Sequence, residues 1–129
     1  MEIKDFAYII ETEKNFDEAV VSVLKEVDKK GWTLFNVYDV KERLAAKGFE
    51  QESLKIIEIC SGKYTNIFLN KNRLSSLCMP CKINVLKEGN KVKIAGMKPT
   101  IIPQLFSEVS LEEAEEVERE VKEIVNNAK

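Results

Sequence analysis

Histidine is absent from this sequence of 129 residues. The side chain that most often acts as a general base at neutral pH is therefore missing. The Ser-His-Asp and Cys-His catalytic arrangements and the commonest metal ligand are missing with it. Carboxylates, lysines, tyrosines and cysteines remain as acid–base candidates, but no pair of them has the spacing of a recognisable catalytic motif. An enzyme is consequently the weaker of the two main functional hypotheses, and a binding module is the stronger.

The sequence also has no excess of charge of one sign and no long apolar run. Twenty basic side chains stand against 22 acidic ones, for a net charge of −2, so we expect no nucleic-acid partner. No apolar stretch approaches the roughly 20 residues needed to cross a bilayer. The opening MEIKDFAYIIETEK has acids where a signal peptide has a basic region and then an apolar one. We therefore expect a cytoplasmic protein without a membrane partner.

Length and hydrophobic patterning predict one α+β domain over residues 1–129, because the chain is too short for two full cores. Segments rich in aromatic and β-branched residues predict strands over residues 6–12, 32–38 and 54–60. Residues 82–87 and 91–94 alternate polar and apolar around Glu88-Gly89-Asn90, which predicts a β-hairpin. The segment 32–38, WTLFNVY, is apolar on both faces, which predicts a central strand.

Helices are predicted from apolar stripes and from capping residues at their ends. Asn15 and Glu18 resemble a capping box before an amphipathic stretch that stops at Gly31. A short helix is predicted from residue 39 to 48, and residues 61–70 fit either a helix or a loop. Ser110 and Glu113 form a second capping box before an acidic amphipathic helix that closes the chain. The expected architecture is a β-α-β-rich domain with a mostly antiparallel sheet, helices mainly on one face, and this C-terminal helix.

Cys60, Cys78 and Cys81 are the residues with the most distinctive chemistry. Three cysteines without a signal peptide indicate a reducing compartment rather than a disulfide framework. A structural Zn(II) site needs four ligands, so a carboxylate, water or a second subunit would complete these three thiolates. Soft thiolates with Met79 nearby would also suit Cu(I). We interpret the three cysteines as candidate ligands of a metal ion or as contacts of a small ligand.

Three other interpretations of the cysteines stay open. Cys78-Met79-Pro80-Cys81 resembles the thioredoxin C-x-P-C pair, but it runs into the predicted strand KINVLKE rather than into a helix. Cys81 could instead be an enzyme nucleophile activated by Lys82 or Lys63. Cysteine is also commonly a small buried hydrophobe, in which case the protein could be purely structural or interact through its surface.

The stretches IIEICSGKY and LCMPCKINVLKEGNKVKIAGMKP, with the helix-strand-helix segment before them, resemble the domain of unknown function 302 family of bacteria and archaea. The resemblance runs from about residue 16 to 99, and residues 100–129 add an apolar arm and the acidic helix. Cys60 matches the cysteine of the family's G-x-C-N-P stretch, and Pro80 with Cys81 matches its L-L-P-C stretch. Ser61-Gly62 and Cys78 depart from that pattern. The resemblance implies a compact sheet backed by helices and no established activity.

The chain is also expected to form a homodimer. A small sheet with helices on one face leaves its other face or an edge to be covered. The apolar arm at residues 101–106 follows Pro99 and contains Pro103, and these helix-breaking prolines suit an arm that packs on a neighbouring molecule. The alternative is that arm and closing helix complete the core of their own chain, because a short chain needs apolar area to offset its ordering entropy.

Overall fold

A computed structural model describes all residues, 1–129, and contains one five-stranded sheet. The strands are β1 (Ala7–Thr12), β2 (Thr33–Asp39), β3 (Leu54–Cys60), β4 (Cys81–Glu88) and β5 (Lys91–Met97). Their order is β1-β5-β4-β3-β2, and every neighbouring pair is antiparallel. The predicted α+β class and the hairpin are therefore confirmed, with Gly89 at the hairpin turn in the left-handed region at φ 62°.

The helices are α1 (Ile3–Phe6), α2 (Phe16–Lys29), α3 (Val40–Ala45), α4 (Gly62–Lys71), α5 (Ile102–Leu105) and α6 (Leu111–Ala128). Short 3-10 helices cover Arg73–Cys78 and Pro99–Ile101. The segment that fitted either helix or loop is thus α4. The Ser110–Glu113 capping box forms as predicted. At Asn15 the side-chain oxygen accepts from the Glu18 amide at 2.9 Å, but the Glu18 carboxylate binds the Asn15 side chain rather than its backbone.

One face of the sheet packs on α2 and α6 and forms the core. Strand residues on this face, among them Ile57, Ile83 and Ile94, have no exposed surface. Gly96 of β5 allows α6 to approach closely, because a Cβ built there would lie 3.1 Å from Val121 Cγ1. None of the helices is long and apolar enough to cross a membrane.

The prediction that the WTLFNVY segment is a central strand is wrong. Its strand, β2, lies at the edge of the sheet and pairs with β3 alone. The pairing register shifts between Leu34 and Asn36, and Phe35 at this irregularity is 58% exposed. The segment has apolar residues on both faces because it is a bulged edge strand with apolar side chains in solvent. It is not buried between two neighbouring strands.

The segment after β5 packs on its own chain. The predicted apolar arm forms the 3-10 helix at Pro99–Ile101 and α5, and both contact α6. Ile102 is buried in the core, whereas Leu105 is 63% exposed. Prolines stand in the first turns of these two short helices, where a missing backbone N–H leaves no hydrogen bond unmade. The arm thus contributes to the core of its own chain, and the homodimer stays a prediction.

Candidate functional site

The candidate site lies where β3 ends and β4 begins. Cys60 is the last residue of β3, and Cys81, the first residue of β4, pairs with Ile59. Cys78 ends the 3-10 helix that leads into β4. Antiparallel pairing of the two strands therefore brings Cys60 to the same end of the sheet as Cys78 and Cys81, which follow it in the chain only after α4.

An apolar pocket of about 140 Å³ opens beside Cys78 and Cys81. Its walls come from the end of the 3-10 helix, the start of β4, the end of β5 and the segment that follows it. Besides the two cysteines, the lining residues are Leu77, Pro80, Lys82, Met97, Lys98, Pro99, Ile101, Ile102 and Leu105. Leu77 is 81% exposed and Met97 is 48% exposed, so apolar side chains stand in solvent around the pocket. We call this cavity the outer pocket.

A second cavity, of about 20 Å³, lies deeper and is lined by all three cysteines and by Met79. We call it the inner cavity. Its volume exceeds the roughly 10–15 Å³ that a cavity needs to hold one water molecule. Four residues line both cavities: Cys78, Cys81, Pro99 and Ile102. A change in any of these four side chains therefore affects the inner and the outer space together.

Burial keeps the thiols of Cys78 and Cys81 protonated. Burial raises the pKa of the Cys81 thiol to about 11, and the neighbouring Cys60 adds to the effect while Lys82 opposes it. Burial also raises the pKa of the Cys78 thiol. The Cys60 sulfur lies 3.0 Å from the Thr65 hydroxyl oxygen, a contact in which either group can donate. At neutral pH the thiols of Cys78 and Cys81 are consequently uncharged, and neither resembles an activated nucleophile.

Trp32, Tyr64 and Glu120 form a hydrogen-bonded group beside the inner cavity. Trp32 and Tyr64 line that cavity, and both donate hydrogen bonds to the carboxylate of Glu120 on α6. The two rings are tilted by 48° with centroids 6.4 Å apart. Burial alone would raise the pKa of Glu120, but the Trp32 and Tyr64 donors and the nearby lysines, Lys30 and Lys63, lower it overall. This group fixes the part of the cavity wall that Trp32 and Tyr64 form.

One feature of the structure supports the prediction that Cys60, Cys78 and Cys81 bind a metal ion: all three residues line the inner cavity. No group of three or more cysteine, aspartate or glutamate side chains is positioned to hold a metal ion. The structure does not support the redox hypothesis drawn from thioredoxin, because Cys78 ends a 3-10 helix and Cys81 starts a strand. Neither cysteine therefore receives the helix N-terminus that lowers the pKa of a redox-active thiol.

Sequence reasoning did not identify the other walls of the outer pocket. Ile101, Ile102 and Leu105 belong to the arm that was expected either to pack on a neighbouring molecule or to complete the core of its own chain, and they line this pocket. Met97 and Lys98 lie in the stretch that resembles the family, but they belong to none of its cysteine motifs. A signal was nevertheless present, because the antiparallel hairpin of β4 and β5 returns the end of β5 to the start of β4, next to Cys81.

Fold and site together define a class: a small α+β domain with an antiparallel sheet, helices on one face, and a cysteine-lined pocket at one sheet end. Within that class, the sequence model of the family described as "Domain of unknown function DUF302" matches residues 8–128. The chain belongs to this family. The match includes α6, which the sequence resemblance had placed largely outside the family-like core.

A solved structure shares the fold. It is the crystal structure of an uncharacterized conserved protein DUF302 from Bacillus stearothermophilus, which superimposes with a TM-score of 0.89 at 24% sequence identity. The similarity covers 96% of this chain and 98% of that one. Comparison with curated proteins finds no match. The fold is therefore established by comparison, and the function is argued from the site.

Proposed function

We propose that the protein is a binding module for a small, largely apolar ligand taken up in the outer pocket. The observation that carries the proposal is the pocket itself, a space of about 140 Å³ whose lining is mostly apolar. A dry cavity of about 150 Å³ is large enough to hold benzene. The pocket therefore suits a ligand, or a part of a ligand, of about that size.

The surface around the pocket supports the same proposal. Leu77, Met97 and Leu105 all contribute to the lining although each is at least 48% exposed. Apolar side chains that stay in solvent beside a concave apolar space are typical of ligand sites. A bound ligand would remove part of this surface from water, at about 25 cal/mol for each Å² of apolar area.

A titration with benzyl alcohol tests the proposal, with amide chemical shifts recorded by NMR. We expect millimolar benzyl alcohol to shift the resonances of residues 77–82 and 97–105. Leu77→Ser should weaken binding several-fold, because it removes an apolar wall at the pocket mouth. Leu74→Ser is the matched control, since Leu74 lies on the same 3-10 helix and is 63% exposed but does not line the pocket.

Two results would contradict the proposal: no shift at the pocket residues, or shifts that Leu77→Ser and Leu74→Ser weaken equally. Cys78→Leu gives an independent check, because the larger side chain fills space shared by both cavities and should reduce binding. Since Leu77 and Leu74 are both exposed, neither serine variant removes a core contact, and the pair is expected to fold like the parent chain.

A soft metal ion is the second candidate, and one observation favours it. Cys60, Cys78, Met79 and Cys81 place four sulfur-containing side chains around the inner cavity. Cu(I) prefers thiolate and thioether ligands, and Zn(II) binds thiolates. Metal binding is the second candidate because burial raises the pKa of the Cys78 and Cys81 thiols. A metal ion must therefore displace protons that these thiols hold at neutral pH. Untagged protein and the Cys60→Ser variant, each titrated with Zn(II) and Cu(I), test this candidate, which fails if neither ion binds the untagged protein.

A further inference from the structure

The outer pocket carries positive charge without any compensating acid among its own residues. Lys82 and Lys98 are the charged residues that line it, and none of its lining residues is an aspartate or glutamate. Because burial raises the pKa of Cys78 and Cys81, both thiols are neutral at pH 7 and add no negative charge. The electrostatic balance of the pocket therefore favours an anion over a cation.

Of the two lysines, Lys98 is the better placed to bind an anionic ligand. Its ammonium donates to the backbone carbonyl of Lys4 at 2.7 Å, and its backbone amide donates to Phe6 at 2.7 Å. None of the ion pairs in the structure includes Lys98. An ammonium group has three donors, so two of them remain for a ligand once the Lys4 carbonyl has taken one.

Lys82 contributes less to an anion. Its ammonium lies 3.9 Å from the Glu58 carboxylate, and its side chain is 47% exposed. Partial neutralisation by Glu58 and screening by solvent both reduce its attraction for a ligand. The acids of the N-terminal segment that Lys98 contacts through the Lys4 carbonyl form no ion pair with Lys98: Asp5 accepts from the Glu2 amide, and Glu2 pairs with Lys4.

We propose that the ligand is a small apolar carboxylate, with a ring or a short branched chain in the outer pocket and its carboxylate at the Lys98 ammonium. This inference rests on the proposed function, and it adds the sign of the ligand's charge and the residue that recognises it. The apolar lining supplies most of the affinity, whereas Lys98 supplies the discrimination between acids and uncharged or basic analogues.

Three probes that share one ring and differ in charge test the inference at pH 7: benzoate, benzyl alcohol and benzylamine. An exposed ion pair contributes up to about 1 kcal/mol, so we expect benzoate to bind up to about fivefold more tightly than benzyl alcohol. Benzylamine should bind more weakly than the alcohol. Raising the salt concentration should reduce the preference for benzoate and leave benzyl alcohol binding unchanged.

Variants of Lys98 identify the residue that makes the discrimination. Lys98→Met should abolish the preference for benzoate over benzyl alcohol, whereas Lys98→Arg, which keeps the charge, should retain that preference. Lys87→Met is the matched control, because Lys87 is an exposed lysine of β4 that does not line the pocket. Amide spectra of each variant confirm that it keeps the fold before its binding is compared.

The outcomes separate this inference from the proposed function. If benzyl alcohol binds at the pocket but benzoate binds no more tightly, or if Lys98→Met keeps the preference, the inference is wrong and the proposed function stands. If none of the three probes perturbs the pocket residues, both are wrong. If benzoate shows its preference but its shifts map outside residues 77–82 and 97–105, the acid site is elsewhere and the inference is overturned.

Discussion

The Nε1–H group of Trp32 donates a hydrogen bond of 3.0 Å to Oε1 of Glu120, and this bond joins the residue before β2 to the last helix. The hydroxyl of Tyr64 on α4 donates to the other oxygen of the same carboxylate. Glu120 therefore links α6 to two residues that line the inner cavity. A carboxylate with two such donors is a structural anchor for the part of the cavity wall that Trp32 and Tyr64 form.

We expect Glu120→Gln to lower the free energy of unfolding by about 1–3 kcal/mol, the usual range for hydrogen bonds to a charged group. The amide of glutamine keeps the shape but has one acceptor oxygen where the carboxylate had two, so one of the donors loses its partner. Urea denaturation measures the change. Glu115→Gln on the exposed side of α6 is the control and should change the stability by less than about 0.5 kcal/mol. Equal effects of the two substitutions on stability would show that Glu120 does not anchor this wall.

The lowered pKa of Glu120 also predicts how stability depends on pH. Because the folded-state pKa lies below the ordinary value of 4.5, the ionised form stabilises the fold above that pH. This contribution is lost as the pH falls below 4.5 and through the folded-state pKa. We expect the parent chain to lose more stability than Glu120→Gln between pH 5 and 3, as measured by thermal unfolding. Parallel curves for the two proteins would show that Glu120 does not contribute.

Gly96 should not tolerate a larger side chain. A Cβ at this position would meet Val121 Cγ1 at 3.1 Å and Val125 Cγ2 at 3.5 Å, both on α6. We expect Gly96→Ala to cost about 1–3 kcal/mol of unfolding free energy, since α6 must shift away from the sheet. Gly62→Ala is the contrasting control: Gly62 opens α4 with free space at its Cβ and should gain stability by about 0.4–1 kcal/mol. A neutral Gly96→Ala would show that this packing can relax.

Local patterns in the sequence predicted most of the fold, because each of them is determined by neighbours along the chain. The Ser110–Glu113 capping box, Gly31 at φ 77° and the hairpin turn at Gly89 all depend on residues within a few positions. The place of β2 in the sheet was predicted wrongly, since strand order depends on contacts between residues far apart in sequence. The sequence does not distinguish an exposed apolar residue such as Phe35 from a buried one.

The candidate site was predicted only in part, for the same reason. The sequence identified Cys60, Cys78 and Cys81, and the pairing of β3 with β4 brings them to one end of the sheet. The rest of the outer pocket comes from the segment after β5, whose position depends on how it packs against α6. Neither Lys98 nor Leu105 belongs to a motif, so only the three-dimensional structure places them beside the cysteines.

The cysteines should label slowly with thiol reagents. With a pKa of about 11, Cys81 has a thiolate fraction at pH 7 that is on the order of a hundredfold smaller than that of a free thiol with pKa ~8.5. We expect a variant that keeps Cys81 alone to react slowly, with a reaction rate that still rises above pH 9. Unfolding in urea should restore the rate of a free thiol. A labelling midpoint well below pH 8.5 in the folded protein would instead favour the cysteine-dependent enzyme, because an activated nucleophile has a lowered pKa.

The homodimer is expected to form through the face of the sheet that α2 and α6 leave uncovered. Ile10 of β1 pairs with the buried Ile94 and therefore lies on the covered face. Because residues alternate between faces along a strand, Ile9 lies on the uncovered face, and it is 43% exposed. The β2 edge is less suited to pairing, because the Asn36 side chain accepts from the Val37 amide at 2.9 Å beside a bulge.

Light scattering at micromolar concentration measures the association, and we expect twice the mass of one chain. Ile9→Lys should give the mass of a single chain while the protein stays folded, because it places an additional charge inside the expected contact area. Val21→Lys on α2 is the matched control, since Val21 is 48% exposed on the opposite, helical side and its substitution should leave the dimer intact. A single-chain mass for the parent protein refutes the dimer. A dimer that Val21→Lys disrupts and Ile9→Lys does not would move the interface to the helical side, because only a residue inside the contact area can impose the cost of a buried charge.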